Sequence, residues 1–210
     1  MIYDVSVPLS NHVPVWPSGP PIRLESTPHL SRDKSYTIHE TFIQITSHMG
    51  THIDAPYHFV ENGKRLHEIP LERLVGKATV FEVPGAPAIG VQELRSLKWD
   101  GVERVLFKTE NSKHWQDGSF YEHFVYLEPE GAEFLVDHGV QLVGIDYLSI
   151  EKFRAEKHLT HFTLLKKDVV IIEGLDLSRV APGEYSMVAL PLNLFDTDGG
   201  PTRVILMNSI

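Results

Sequence analysis

Residues 48–59 read HMGTHIDAPYHF, and this stretch constrains the chain more than any other. His48, His52, Asp54 and His58 fall in one short segment, with Gly50 and Pro56 between them. On an extended chain, residues two apart face the same side, so His52 and Asp54 point together. Gly50 lets the chain bend back between His48 and His52. Pro56 stops a helix and stiffens the residues after it. A strand end running into a rigid loop of this kind aims all four groups at one point. Two imidazoles and a carboxylate suit a catalytic divalent metal, which commonly takes three protein ligands and keeps one position open. Zinc or manganese would accept the set. His48, His52 and Asp54 are therefore the expected ligands. His58 is left over, placed to move protons beside a metal-activated water. The H-E-x-x-H pattern of zinc proteases is absent.

Composition narrows the setting. The 210 residues suit one domain spanning 1–210, and 42% hydrophobic residues suffice for a full core. Net charge is −9, and Lys64-Arg65 is the nearest approach to a basic patch. Nucleic acid is not an expected partner. No apolar run approaches the roughly 20 residues of a membrane span, so no membrane partner is expected. The start, MIYDVSVPLS, has no basic stretch ahead of an apolar one, so no signal peptide is expected. With no cysteine, neither disulfides nor thiolate metal sites are available. A cytoplasmic location is then the simplest expectation.

Apolar runs bounded by turn residues predict strands over 2–7, 37–46, 78–83, 105–108, 142–146, 169–173, 187–192 and 203–207. Helical spacing predicts helices over 91–97 and 129–138, and over 148–165 with a break near Leu159-Thr160. Pro14 to Pro28 reads as an ordered, extended surface loop. The pattern predicts an α/β fold: a central mixed sheet with flanking helices. Trp16 and Phe42 are candidate aromatic contacts for a planar substrate. Thr51 and Asp146 are candidates for orienting the ligands.

The opening stretch resembles the signature of the cyclase-like metal-dependent hydrolases, H-x-G-T-H-x-D-x-P-x-H-F, with every fixed position present. That family includes bacterial kynurenine formamidase and isatin hydrolase. The likeness continues through YDVSVPLSNHVPVWP, LVGIDYLSIE and ALPLNLFDTDGGPTRVILM, in the family's order. The loop Trp16-Pro17-Ser18-Gly19 departs from the family's W-P-G-D by lacking the acid.

The resemblance implies a swivelling β/β/α fold, His48, His52 and Asp54 as metal ligands, and His58 as catalytic acid/base. It further implies a second metal position completed by His161 and Glu173 with Asp54 bridging, hence one or two zinc or manganese ions. His158 competes with His161 for that role. The expected activity is hydrolysis of N-formyl-L-kynurenine to kynurenine and formate by a homodimer or homotetramer. Alternatives are action on another small cyclic amide, lactam or ester such as isatin, and a non-catalytic metal-dependent binding module.

Overall fold

The apolar runs of the second half are near-continuous because their strands are buried on both faces, as parallel strands under helices must be. A computed structural model describes residues 1–208. The first part carries β1 (Ile2–Asp4), β2 (Arg23–Ser26), β3 (His29–Leu30), β4 (Thr37–Ile38), β5 (Thr41–Gln44) and β6 (His52–Asp54). Next come α1 (Leu71–Leu74), β7 (Val75–Glu82), β8 (Ala88–Ile89), α2 (Val91–Arg95), β9 (Arg104–Lys108), β10 (Tyr126–Leu127) and α3 (Pro129–Asp137). The remainder is β11 (Leu142–Ile145), α4 (Leu159–Leu165), β12 (Val170–Glu173), β13 (Gly183–Pro191) and β14 (Gly199–Asn208).

The α/β expectation with a central mixed sheet holds, and the sheet goes further by closing on itself. Its order is β14-β13-β7-β9-β11-β12-β6, and β6 pairs back onto β14, giving a seven-stranded barrel. The β7, β9, β11 and β12 neighbours run parallel; the remaining pairs are antiparallel. β1 adds to the far half of β14, Ile2 opposite Met207.

Side-chain alternation sorts the barrel into two cores. Leu106, Leu142, Val170, Ile172, Ile53 and Leu206 fill one cluster within the barrel. Val105, Phe107, Val143, Ile145 and Ile171 point the other way, onto Leu94 of α2, Ala132 and Leu135 of α3, and Leu164 and Leu165 of α4.

Besides smaller differences, with β2 forming inside the Pro14–Pro28 run expected as a loop and the first strand stopping at Asp4, three departures from expectation stand out. The run over 37–46 is not one strand. It splits into β4 and β5, which form exposed hairpins with β3 and β2 outside the barrel. The strand that carries the histidine motif is β6 itself. The second difference is the predicted helix over 148–165, of which only Leu159–Leu165 is helical. Upstream, the Ile150 N–H donates to the Glu173 carboxylate (2.7 Å) and the Glu151 N–H to the Ser149 hydroxyl (3.2 Å). These bonds replace the i−4 carbonyl partners a helix would need. Thirdly, the barrel strands β7, β13 and β14 extend beyond the apolar runs, because ladder pairing continues through their polar ends.

One close approach positions the motif. Gly174, just past β12, has φ +77°, and a Cβ there would lie 2.0 Å from the Gly50 carbonyl oxygen. Thr51 Oγ1 donates to the Gly174 carbonyl (2.5 Å) and accepts from the Val7 N–H (2.8 Å). Thr51 thus clamps the motif's bend against the end of β12. Replacing Gly174 by alanine combines a left-handed backbone with this clash. The expected loss is about 2–5 kcal/mol of stability, read from urea unfolding; a change within experimental error would show that the two loops are free to separate.

Candidate functional site

β6 lies between β12 and β14, pairing Asp54 with both Ile171 and Gly199, and His52 with both Glu173 and Pro201. That register brings two distant segments beside the motif. His52 and Glu173, on neighbouring strands, stand opposite each other, with Nε2 and a carboxylate oxygen 3.5 Å apart. Asp54 sits on the same face as His52, Oδ1 3.3 Å from Nε2. α4 packs alongside and directs His161 to the same point, its Nε2 3.2 Å from Glu173 and 3.6 Å from Asp54.

Four groups therefore form a ring: Asp54, His52, Glu173, His161. All are buried. Two of their polar atoms, His52 Nε2 and Asp54 Oδ2, have no hydrogen-bond partner although shielded from solvent. Buried polar atoms left unpaired are costly, so this pair marks a place for a ligand. Around the ring each carboxylate turns one oxygen toward each imidazole, at 3.2–3.6 Å, and two imidazoles with two carboxylates are the donor chemistry of a divalent cation.

Both imidazoles of the ring are aimed by their other nitrogen. His52 Nδ1 donates to the Gly50 carbonyl (3.0 Å), and His161 Nδ1 to Glu151 Oε2 (2.9 Å). Each Nε2 is thereby turned to the shared centre. His158, the competitor for His161, is exposed and points its Nδ1 at Glu151 instead.

His48 and His58 form the outer part of the site. Their rings stack 3.8 Å apart. His48 donates to Asp54 Oδ1 (2.7 Å) and to Asp198 Oδ2 (2.8 Å). His58 Nδ1 lies 3.4 Å from the same Asp198 oxygen. His48, Asp54 and His58 thus present a second group of converging donors.

The charge balance is dominated by the carboxylates. Burial works against a charged His48, but Asp54 and Asp198 outweigh it and push its pKa up to about 9. Burial likewise opposes a charged His52, yet Asp54 and Glu173 raise it to about 10. His161 is also raised well above its ordinary value: burial disfavours the charge, and Asp54, Glu151 and Glu173 overcome it. Burial alone would raise Asp54, and the surrounding histidines hold it far below the usual range. Hydrogen bonds from His48 and His58 hold Asp198 far down as well. Without metal, protons on the histidines neutralise the carboxylates.

A cavity of about 320 Å³ opens above this centre, with His48, His58, His161 and Glu173 in its lining. Trp16 lines it too, and packs edge-on to Phe120 and Phe153, each 5.2 Å away. Phe42, the other aromatic candidate, lies on exposed β5 and does not line the cavity of its own chain. Asp146 bonds elsewhere than to the ligands. It accepts from the backbone N–H and hydroxyl of both Thr109 and Ser112, and so pins the segment after β9.

Two acids of the site, Asp198 and Glu151, fall within the runs ALPLNLFDTDGGPTRVILM and LVGIDYLSIE but are not among the residues that the sequence predicts to act. Asp198 immediately precedes β14 at Gly199-Gly200-Pro201, and the β14–β6 pairing places it beside the histidines. Glu151 ends the LVGIDYLSIE segment, where the spacing predicts the start of a helix.

The protonated histidines predict the pH dependence of metal binding. An ion held by His48 and His52 would have to displace their protons, which the neighbouring carboxylates hold up to pKa values of about 9 and about 10. Lower pH leaves more protons to displace. Apparent affinity should therefore rise with pH through the neutral range and level off near pH 10, with more than one proton released per ion. Calorimetry in buffers of different ionisation enthalpy measures this, and a pH-independent affinity would contradict the charge balance.

Comparison with known proteins agrees with the geometry. The Cyclase family model matches residues 3–152. A kynurenine formamidase of Bacillus cereus is 35% identical over 203 residues, 97% of this chain and 95% of that one. The kynurenine formamidase of Bacillus anthracis is 34% identical over the same shares. Among solved structures, a potential metal-dependent hydrolase with cyclase activity superposes with a TM-score of 0.83 at 37% identity, covering 98% of this chain and 96% of that one. Isatin hydrolase A of Labrenzia aggregata shares the fold, with a TM-score of 0.82 at 21% identity over 100% of this chain and 94% of its own. With the signature complete and the match running over most of its length, the chain belongs to the cyclase family.

Proposed function

We propose that residues 1–210 form one metal-dependent hydrolase domain that cleaves aryl formamides, with N-formyl-L-kynurenine as substrate and kynurenine and formate as products. The observation that carries this reading is the convergence of His52, Asp54, His161 and Glu173 at the floor of an aromatic-walled cavity, in a chain about one-third identical to kynurenine formamidases end to end.

His48, His52 and Asp54 hold one divalent ion. Asp54, His161 and Glu173 hold a second, and zinc or manganese suits either position. Ions held there make a water more acidic and stabilise negative charge on a carbonyl oxygen. The chain's own residues do the rest. His58 lines the cavity outside the buried ring, where it takes a proton from the attacking water. The water oxygen bonds to the formyl carbon, and the carbon–nitrogen bond then breaks. His58 returns the proton to the departing aniline nitrogen. Asp198 faces His58 Nδ1 and so fixes the ring with Nε2 free for this transfer.

The walls suit the proposed substrate. Trp16 offers an aromatic face for the aniline ring. Lys152 and Arg154, cations on the cavity lining of a chain of net charge −9, suit the substrate's carboxylate. Isatin-like lactams lack that carboxylate, so they fit the ring and not the rim. In this reading the protein acts in the cytoplasm as a homodimer or homotetramer. No helix among the described residues is long and apolar enough to cross a membrane.

Two measurements test the proposal. His58→Ala should retain its metal and lose about 10² to 10⁴ in turnover, the usual contribution of an acid–base group; loss of metal instead would make His58 a ligand. On metal-loaded enzyme, kcat/KM for N-formylkynurenine should exceed that for esters and lactams with matched rings. A lactam or ester preference would overturn the substrate while leaving hydrolysis in place.

A further inference from the structure

The imidazole of His161 could present either edge to the metal centre, yet the structure fixes one. Two contacts do this. The ring of Phe59 stacks on His161 at 4.6 Å and 20°, which sets the plane of the imidazole. Glu151 Oε2 takes Nδ1 at 2.9 Å, which sets its rotation within that plane. A flipped ring would put carbon atoms where the nitrogens now meet Glu151, Asp54 and Glu173.

Glu151 is itself held firmly. It is 4% exposed, and its other oxygen accepts the Thr160 N–H (2.8 Å) in the first turn of α4. One carboxylate therefore anchors both the helix that carries His161 and the ring of His161. Its backbone N–H donates to the Ser149 hydroxyl, which keeps the preceding loop turned toward the site.

We propose that Glu151 is a positioning residue: by holding a proton on His161 Nδ1 it leaves Nε2 as the donor for the ion shared with Asp54 and Glu173, and so controls occupancy of that position. This rests on the two-ion reading above. Glutamine at 151 is the informative change. Its amide oxygen still accepts from Thr160, while its NH₂ group must donate toward His161 Nδ1. That favours the opposite tautomer, with hydrogen on Nε2, where the ion needs a lone pair.

The test is zinc titration by calorimetry, with bound metal counted by mass spectrometry, on wild type, His161→Ala and Glu151→Gln. His161→Ala identifies the ion that depends on His161. Glu151→Gln should weaken that same ion by roughly 10–100-fold, the usual effect of losing a partner behind a metal-bound histidine, and leave the other ion unchanged. A merely structural role would weaken both ions or neither. Loss in His161→Ala with full retention in Glu151→Gln overturns the proposal and spares the two-ion reading. Unchanged binding in His161→Ala overturns both. Nitrogen-15 NMR of the zinc-loaded wild type needs no variant: His161 should carry its proton on Nδ1, and a proton on Nε2 overturns the assignment.

Discussion

Asp54 is a carboxylate sealed in the protein, and the site is arranged around the problem it poses. A buried charge is tolerated only when paired and hydrogen-bonded. Here His48 lies 2.7 Å away, His52 3.3 Å and His161 3.6 Å. Each of those imidazoles reaches Asp54 from a different element: the bend before β6, β6 itself, and α4. Remove the carboxylate and several buried donors lose their common partner. The local structure is therefore specified by electrostatics as much as by packing.

The same residue lies on the strand that closes the barrel. β6 has three residues, His52, Ile53 and Asp54. Alternation turns Ile53 into the interior cluster and leaves His52 and Asp54 on the opposite, functional face. So short a strand has few ladder bonds to hold it between β12 and β14. Its partners compensate: the Ala55 N–H donates to the Asp198 carbonyl (3.0 Å), the Leu66 N–H to the Thr197 carbonyl (3.0 Å), and Thr51 clamps Gly174. The strand pairings that close the sheet also place His52 and Asp54 beside Glu173.

Legibility in the sequence tracks the range of the interactions involved. His48, His52, Asp54 and His58 are legible because one segment supplies them, and strand periodicity with a glycine bend brings them together. The core strands β9, β11 and β12 are legible as apolar runs, since both faces are covered. Barrel closure is not, because the β14–β6 pairing joins distant segments with no shared local pattern. Asp198 sits in the ALPLNLFDTDGGPTRVILM run, but its role beside the histidines depends on that pairing. The stretch over 148–158 misleads because its apolar spacing is helical, while its backbone N–H groups bond Glu173 and Ser149 instead. Phe42 resembles a pocket aromatic by its neighbourhood in sequence, but β5 folds away as an exposed hairpin.

The split between local and distant donors also bears on how metal and fold are coupled in the proposed site. His48, His52 and Asp54 are close in sequence, so an unfolded chain can still gather them around an ion. Binding of that kind stabilises the folded state little, because the ion gains only from donors that folding adds. The second ion of the proposed site differs, because two of its three donors, His161 and Glu173, lie far from Asp54 in sequence. They reach the centre only when α4 and β12 have packed and β6 has paired with β12. Their contribution is the part of the binding energy that favours the closed barrel: a site filled at 100 times its Kd, with no competing affinity in the unfolded chain, adds about 2.7 kcal/mol. In the proposed two-ion site, the motif's ion would bind with little help from folding, while retention of the second ion would depend on the fold.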